Sequence, residues 1–358
     1  MAQDAGPAPR DDSWSGTSVP RGGGCSETDT RRVGVRGNLA AIDLGTNNCR
    51  LLIARPEGGQ FVIVDAFSRI VRLGEGLAAT GRLSDAAIER TISALAVCAE
   101  KLRRRRVMLA RSVATEACRQ AANGAEFVAR VREETGIMLD IISAREEARL
   151  AVLGCQALLE PGDGPALVFD IGGGSTELVL LEGHGGTLRI VDWLSAPFGV
   201  VSLAETVAGH GDGPDGRAAA YADMRARMQG AFAGFARRLP AVPGLRLLGT
   251  SGTVTTLASV HLGLARYDRQ AVDGLAVPAA AMRDIARRLS GMSLAERMSL
   301  PCIGDERADL VVAGCAILEG ILDIWPAARL GVADRGIREG ILRSLLDSAA
   351  NRQLGAAG

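Results

Sequence analysis

The sequence predicts an α/β fold of two similar domains with mixed sheets, duplicated along the chain and separated by a cleft. Its 358 residues favour two domains, because a single domain has about 100–200 residues. A segment that begins at Asp43 is repeated from Asp170, and Phe61–Asp65 matches Leu188–Asp192 at the same offset. After each copy the pattern changes from closely spaced strands to helices separated by single strands, which is typical of α/β domains with mixed sheets.

Composition excludes several classes of protein. With 47% hydrophobic and 23% charged residues, the chain is typical of a folded globular protein. Its 41 basic and 41 acidic residues cancel, so no global basic field predicts nucleic acid or a membrane surface as the main partner. Lys101 is the only lysine, which excludes a P-loop because that motif requires a lysine. The sequence contains no run of about 18 apolar residues, so no membrane span is predicted.

The cysteines and the amino terminus predict a cytoplasmic protein. Seven scattered cysteines without a CxxC pair are typical of reduced thiols. The first residues lack the apolar stretch of a secretion signal, and residues 1–37 have little to bury, so we expect a disordered tail there. A second short tail is expected at residues 349–358. The three histidines lie in or beside Gly-bearing segments and give little support to histidine or metal–histidine chemistry.

The first copy opens with three strands that form a β-meander. These strands are predicted at Leu39–Ile42, Arg50–Ala54 and Phe61–Asp65, separated by Gly-bearing turns. Ser84 is expected to cap a helix whose apolar residues recur every three or four positions up to Leu102. The elements that follow are a strand at Val107–Val113, a helix at Glu116–Glu134, a strand at Leu139–Ile142 and a helix at Arg145–Leu159.

The second copy begins after a linker at residues 160–165. Its meander strands are predicted at Ala166–Phe169, Glu177–Leu181 and Leu188–Asp192. Later come a strand at Leu245–Leu248, a helix opening at Gly252, a helix over about Glu306–Ile324, a strand at Arg329–Val332 and a last helix from Gly336 to about Ser348. These elements place the first domain at residues 38–160 and the second at 161–335, and the last helix at 336–348 is expected to pack back on the first domain.

Three loops have the composition of phosphate-binding turns. Asp43-Leu-Gly-Thr-Asn-Asn and Asp170-Ile-Gly-Gly-Gly-Ser-Thr-Glu each place a carboxylate at a strand end, followed by glycines that let backbone N–H groups approach a ligand. A plain hairpin turn is the alternative for each, but the duplication favours two turns that face each other across a cleft. The third loop, Leu247–Val254, leads from a strand into a helix whose amino end favours an anion, or is an ordinary connection.

The chain resembles the exopolyphosphatase / guanosine pentaphosphate phosphatase family of the actin–Hsp70–sugar kinase superfamily. The resemblance runs in family order from about residue 39 to 343. It implies two actin-like (ribonuclease H-like) domains. The matching stretches are AIDLGTNNCRLLIA, RIVRLGEGL, VATEACRQA, IISAREEARLAVLG, VFDIGGGSTELVL, LLGTSGTVTTLA, SLPCIGDERADLVVAGCAILEGIL and VADRGIREGIL.

The resemblance assigns roles to individual residues. It implies that Glu147 activates the attacking water and that Glu177 is the second catalytic carboxylate, near the metal; without it, Glu147 is a charged first-turn residue that suits the helix dipole. Asp43 and Asp170 match aspartates associated with Mg²⁺, alongside Glu177. Arg119 matches an arginine near the phosphate, or is a surface helix arginine. The phosphate-contacting positions are Gly45, Thr46, Asn47, Gly172, Gly173, Gly174, Ser175, Gly252 and Thr253.

The function implied is that of a Mg²⁺-dependent phosphohydrolase. It would release the terminal phosphate of inorganic polyphosphate, or of the 5′-triphosphate of guanosine pentaphosphate. A kinase of the same superfamily and a non-catalytic polyphosphate or nucleotide sensor are the alternatives. No specific nucleic acid and no membrane partner are expected; the family often forms homodimers, although no stretch marks an interface.

Two further features bear on substrate length. Longer family members carry a helical domain of the His-Asp type, whereas this chain ends near residue 358 without a His-Asp dipeptide and resembles the short form. That difference argues against processive degradation of long polyphosphate. The basic run Lys101–Arg106 could guide a polyanion, but a solvated helix end is the favoured interpretation.

Overall fold

Two β-sheets with helices packed against them form the protein. The structure is a computed structural model that describes residues 18–20, 37–58, 60–160, 162, 164–184, 187–239, 242–305 and 307–355. The strands are β1 (Ser18–Pro20), β2 (Asn38–Leu44), β3 (Asn48–Glu57), β4 (Gln60–Ile70), β5 (Val107–Ala114), β6 (Leu139–Ile141), β7 (Gly164–Ile171), β8 (Thr176–His184), β9 (Thr187–Ala196), β10 (Arg246–Thr250), β11 (Ala276–Pro278) and β12 (Arg329–Ala333). The helices are α1 (Leu77–Thr80), α2 (Asp85–Arg104), α3 (Glu116–Gln120), α4 (Gly124–Thr135), α5 (Ala144–Cys155), α6 (Val200–Glu205), α7 (Pro214–Arg238), α8 (Gly252–His261), α9 (Arg269–Val272), α10 (Ala279–Gly291), α11 (Leu294–Met298), α12 (Val311–Ile324) and α13 (Ile337–Gly355).

Both sheets are mixed, as the sequence predicts. The first has the order β4-β3-β2-β5-β6, with an antiparallel meander β2–β3–β4 and parallel pairing of β5 to β2 and of β6 to β5. The second has the order β1-β9-β8-β7-β10-β12-β11, with the equivalent meander β7–β8–β9 and parallel pairing of β10 to β7 and of β12 to β10. The predicted α/β class and the duplicated meander are therefore confirmed.

The duplication extends to the irregularities of the two sheets. The pairing of β3 with β4 shifts register between Ile53 and Ala54, and that of β8 with β9 shifts at the equivalent place in the second copy, between Leu180 and Leu181. Such a bulge bends a strand and increases its twist. The meanders of the two copies are therefore expected to bend at the same position.

Two helices, α5 and α13, lie next to both sheets at the centre of the molecule. One face of α5, with Ala148 and Val152, packs on the second sheet, while Ala151 packs with α13 against the first. Gly340 of α13 lies so close to α5 that a Cβ there would come within 2.0 Å of the Leu150 carbonyl oxygen. The last helix thus contacts both α5 and β2. The domain boundaries themselves stay a prediction.

One long predicted helix is wrong as a single element. Instead of a helix over Glu116–Glu134, the structure has α3 and α4 with a break at residues 121–123. The side-chain amide of Asn123 accepts a hydrogen bond from the Leu83 N–H at 2.9 Å and donates one to the Leu83 carbonyl at 3.0 Å. This distant contact favours a turn over continued helix.

Helices that carry much of the second core are absent from the sequence prediction. The 25-residue α7 has no counterpart there, although its buried Tyr221, Met224, Met228, Phe232 and Phe235 recur at helical spacing. The predicted helix over Glu306–Ile324 begins later, at Val311, and Glu306 lies outside the described residues.

The amino-terminal region differs from the expectation in one place. Ser18–Pro20 forms a short strand that pairs antiparallel with Thr187–Arg189, so the predicted tail has structure at these three residues. Residues 1–17 and 21–36 of this predicted tail lie outside the described part, as do residues 356–358 of the second tail; residues 349–355 belong to α13. Six cysteines lie in the described part and all are free thiols. Among the described residues, none of the helices combines the length and apolarity needed to cross a bilayer.

Candidate active site

A cleft between the two sheets collects almost every residue that the sequence singled out. Most of its lining comes from the loops that follow β2, β7 and β10 and from the start of α5. The predicted residues found in the lining are Asp43, Gly45, Thr46, Asn47, Glu147, Asp170, Gly172, Gly173, Gly174, Ser175, Glu177, Gly252 and Thr253. Arg119 does not line the cleft.

The two predicted phosphate turns have the same internal geometry. The Gly45 N–H donates to the Asn48 carbonyl at 2.9 Å, and the Gly172 N–H donates to the Ser175 carbonyl at 3.0 Å. The two glycines and the two acceptors occupy equivalent positions of the two copies, so the same hydrogen bond closes both turns. Each turn closes a hairpin whose first strand carries an aspartate near its end, Asp43 or Asp170.

The two turns touch each other across the cleft. A Cβ on Gly173 would lie 3.0 Å from the Asn47 nitrogen, and one on Gly174 would lie 2.6 Å from the Thr46 Oγ1. A side chain at either position would require the facing turn or its side chains to shift. The predicted juxtaposition of the two loops is therefore present, and glycine is what allows it.

The third loop is a strained strand–helix connection. Ser251 has φ of 119°, which is unusual for a residue with a side chain. It lies directly before Gly252, where α8 begins, while Thr250 donates its hydroxyl to the Arg335 carbonyl at 2.8 Å. Strain of this kind, at about 1–3 kcal/mol, tends to occur at functional sites. The amino end of α8, with its positive dipole, opens into the cleft through Gly252 and Thr253.

Four carboxyl groups gather beneath these loops, and their pKa values are all raised; Glu147 and Glu177 are buried, while Asp43 and Asp170 are partly buried. Burial and then the charge of Asp43 raise the pKa of Asp170 to about 6. Burial and then Asp170 raise the pKa of Glu177 to about 7, and burial and then Glu177 raise the pKa of Glu147. Burial also raises the pKa of Asp43, against the opposing effect of Arg50. So much negative charge in one buried place favours a bound cation.

Arg119 bonds to Glu147 and is not among the residues that line the cleft. Both of its terminal nitrogens lie 3.1 Å from Glu147 Oε2, and one also donates to the Ile142 carbonyl at 2.7 Å. The other nitrogen pairs with Glu116, which lines the cleft. Glu147 is only 6% exposed, so this contact fixes the orientation of its carboxylate.

Sequence reasoning missed several polar residues around the cleft. Ser195 donates its hydroxyl to Glu177 Oε1 at 2.8 Å and faces it across the β8–β9 pairing. Arg50 lines the cleft at the position of the first copy that is equivalent to Glu177, so the repeat alignment could have found it. Arg307 also lines the cleft and donates to Thr256 at 3.1 Å, and no pattern in the sequence marks it.

The carboxylates of the cleft suit a hard cation such as Mg²⁺ that takes its remaining ligands from water and substrate. Within the described residues no three His, Cys, Asp or Glu side chains form a group that could hold a metal by themselves. The carboxylates of Asp43, Asp170 and Glu177 nevertheless share one buried cleft with phosphate-type turns. Mg²⁺ commonly takes one or two carboxylates and completes its coordination with water and substrate phosphates. The residues present therefore fit such an ion.

Known proteins match the chain along most of its length. An exopolyphosphatase 2 from Mycobacterium tuberculosis is 34% identical over 322 residues, covering 86% of this chain and 98% of that protein. A guanosine-5′-triphosphate,3′-diphosphate pyrophosphatase from Aeromonas salmonicida is 30% identical, covering 86% of this chain and 59% of its own length. The crystal structure of a Ppx/GppA family member from Aquifex aeolicus superposes with a TM-score of 0.72 at 30% identity, over 87% of this chain and 98% of that one.

These matches agree with the geometry of two similar α/β halves around a cleft of phosphate-type turns and carboxylates. A sequence profile of the Ppx/GppA phosphatase family matches residues 52–349. The chain belongs to the Ppx/GppA phosphatase family, and it is a hydrolase that acts on phosphoanhydrides.

Proposed function

We propose that this protein releases the terminal phosphate of inorganic polyphosphate, of the 5′-triphosphate of guanosine pentaphosphate, or of both. The observation that carries the proposal is the convergence of four buried or partly buried carboxyl groups on two touching phosphate-type turns and the amino end of α8. The relatives named exopolyphosphatase 2 and guanosine-5′-triphosphate,3′-diphosphate pyrophosphatase support the two substrates. Both substrates end in a phosphoanhydride.

In this proposal the three loops hold the terminal phosphate. The carbonyls of Thr46 and Gly173 are bonded by the N–H groups of Gly74 and Val201, at 2.9 and 2.8 Å, which fixes each turn from outside. The amide groups of the turns and of Gly252 then serve as donors to phosphate oxygens. A Mg²⁺ ion associated with Asp43, Asp170 and Glu177 would offset the negative charge of those oxygens.

Glu147 is the proposed base. Its carboxylate, oriented by Arg119, takes a proton from the water that attacks the terminal phosphorus, and the shortened phosphate chain leaves with the bridging oxygen. Glu177, held by Ser195, is the second catalytic carboxylate. This arrangement needs no residue outside the cleft, apart from the supporting contacts of Arg119 and Ser195.

The test is phosphate release with Mg²⁺ from medium-length polyphosphate, guanosine pentaphosphate and ATP, each assayed separately. Glu147→Gln should lower turnover by about 10²- to 10⁴-fold, the usual contribution of a general base. Glu146→Gln is the matched control, because Glu146 is the preceding residue on α5 but pairs with Arg111 and Arg149 outside the cleft.

Each result has a distinct meaning. Release from polyphosphate alone would identify an exopolyphosphatase, and preference for guanosine pentaphosphate would place the protein in alarmone metabolism. Binding of all three compounds without release would contradict the proposal and favour a sensor, whereas ATP consumption only in the presence of an acceptor would favour a kinase. The cytoplasmic location and a homodimer stay predictions.

A further inference from the structure

A segment between β4 and α1 holds the first phosphate turn in place. In this segment, residues 71–76, the Gly74 N–H donates to the Thr46 carbonyl at 2.9 Å and the Arg72 N–H donates to the Asn47 carbonyl at 3.1 Å. We call it the bridging segment. Because it bonds the outer side of the turn, any displacement of the segment moves the turn.

The bridging segment also reaches the half of the molecule that carries the second turn. Arg72 Nη2 lies 2.9 Å from Asp309 Oδ2, across 237 residues of sequence. The Gly76 N–H donates to Glu205 Oε1 at 2.9 Å, across 129 residues. The segment therefore contacts both halves of the cleft.

Glu205 continues the connection to the second turn. It is the last residue of α6, and the first N–H groups of that helix, from Val200 and Val201, donate to the carbonyls of Gly172 and Gly173 at 2.9 and 2.8 Å. A continuous set of backbone and side-chain hydrogen bonds thus runs from the first turn, through the bridging segment and α6, to the second turn.

The backbone at Arg72 is strained. Arg72 has φ of 47°, in the left-handed region where glycine would be the unstrained choice. Arg90 of α2 supports the strained segment by donating to the Val71 carbonyl at 3.1 Å and pairing with Glu75 at 2.9 Å. The equivalent position in the second copy is Gly199, which is extended at φ of −118° and has no side chain to make such an ion pair.

We propose that Arg72 and Glu205 are positioning residues that hold the two phosphate turns at their working separation. They act through the backbone of the turns and contact no reacting atom. The catalytic part of this inference rests on the proposed function, but the connection between the turns is a property of the protein without substrate and is tested as such.

The strength of the contact sets the size of the expected effect. The side chains of Arg72 and Asp309 are 40% and 33% exposed, so the ion pair is weakened by salt. Loss of a pair of this kind changes an equilibrium by at most about fivefold. We therefore expect Arg72→Gln to lower kcat/KM by about three- to fivefold at low salt, and the difference from the wild type to shrink as salt rises.

Hydrogen exchange of the protein without substrate tests the connection. Arg72→Gln and Glu205→Gln should both speed amide exchange in peptides that cover the second turn, residues 172–175, although neither residue touches it directly. Arg130→Gln is the control, because Arg130 pairs with Glu89 and Glu134 within the first half of the chain. Unchanged exchange at the second turn in both cleft variants would overturn the proposal.

Kinetics of a charge exchange test the positioning role. Arg72→Glu and Asp309→Arg should each lower kcat/KM, and the double variant should restore it to within about twofold of the wild type. Double-variant activity as low as that of the singles, or a defect of Arg72→Gln that is independent of salt, would overturn the positioning role. A wild-type protein that releases no phosphate would instead contradict the proposed function, and the exchange experiment would still decide whether the turns are connected.

Discussion

Ser195 and Arg50 show how single residues make the two halves of the cleft different. The repeat places a carboxylate near the end of each first strand, Asp43 or Asp170, and the pairing of the strands places Arg50 opposite the first and Glu177 opposite the second. Burial raises the pKa of both Asp43 and Glu177, but Arg50 opposes the rise at Asp43, whereas the like charge of Asp170 adds to the rise at Glu177. The second turn is therefore the side where a cation is needed most.

Ser195→Ala should lower activity without unfolding the protein. The hydroxyl donates to Glu177 and lowers the pKa of that carboxyl, so its loss raises a pKa that burial has already raised. We expect kcat/KM to fall by about tenfold, since a hydrogen bond to a charged group contributes about 1.5–3 kcal/mol. The acid limb of its pH profile should move to higher pH.

A pH profile of phosphate release, with Ser299→Ala as control, measures this. Ser299 donates to a backbone carbonyl on an exposed helix end, away from the cleft. An acid limb that stays in place in Ser195→Ala would show that Glu177 does not control it.

At the scale of elements, α5 packs very closely against α13 and the residue that precedes it, at glycine positions. A Cβ on Gly154 would come within 1.9 Å of the Gly336 carbonyl oxygen, a backbone atom that cannot turn aside. Gly154→Ala should therefore reduce the free energy of unfolding by about 1–3 kcal/mol or more, as overpacking does. Urea denaturation measures it.

Gly230→Ala is the opposite case and serves as the matched control. Gly230 lies in the middle of α7 with no atom within 4 Å of an added Cβ. The substitution should raise the free energy of unfolding by about 0.5–1 kcal/mol, because alanine has the higher helix propensity. If the two substitutions changed the free energy of unfolding equally, the close approach of Gly154 to the Gly336 carbonyl would be contradicted.

In each copy, an aspartate on the third meander strand forms a salt bridge with basic residues at the end of a long helix. Asp65 of β4 contacts Lys101 at 2.7 Å and Arg105 at 2.9 Å, and Asp192 of β9 contacts Arg238 at 2.8 Å. The cationic run at the end of α2 thus serves structure, at the opposite end of β5 from the cleft. This agrees with its interpretation as a helix end rather than a guide for polyanions.

Asp65→Asn should destabilise the protein at neutral pH but not in strong acid. The hydrogen bond from Lys101 lowers the pKa of Asp65 to about 2, so the folded state binds its proton less readily than the unfolded state. The contribution is present above pH ~4 and is lost as pH falls towards 2. Urea titrations at pH 7 and pH 2 should give a difference of about 1 kcal/mol at pH 7 and a much smaller one at pH 2. Asp192→Asn, with a single arginine partner, should show a smaller effect; an unchanged difference at both pH values would contradict the assignment.

At the scale of the whole molecule, the site exists only because two halves of the chain meet. Asp43 comes with the first sheet and Asp170 with the second, and the charge of Asp43 raises the pKa of Asp170 across the cleft. Glu177 of the second sheet likewise raises the pKa of Glu147. Packing of α5 against both sheets brings these groups together.

Binding of Mg²⁺ should release protons, and more of them at pH 6 than at pH 8. The pKa of Asp170 is about 6 and that of Glu177 is about 7, so at pH 6 a cation must displace protons that are largely absent at pH 8. Calorimetry of Mg²⁺ binding in buffers with different ionisation enthalpies counts these protons. Asp170→Asn should reduce the count at pH 6, whereas equal counts at the two pH values in the wild type would argue against an ion beside these carboxylates.

Much of the site could be predicted because it lies on repeated local patterns. Asp43, Gly172 and Glu177 stand at strand ends and tight turns that the sequence marks directly, and the constant offset between the two copies relates them. Other contacts have no such signal: Arg119 reaches Glu147 across 28 residues, and Arg72 reaches Asp309 across 237. Likewise, the break at Asn123 depends on its bonds to Leu83.

The sequence by itself therefore determined the α/β class, the duplication and the three loops, because strand periodicity, glycine turns and repeated motifs act over a few residues. The tertiary structure alone decided that Gly173 touches Asn47, that Arg119 contacts Glu147, and that Arg72, beside the first turn, reaches Asp309 in the second half of the chain. Those arrangements depend on how α5, α13 and the sheets pack, and packing joins residues whose separation along the chain carries no information about their distance in space.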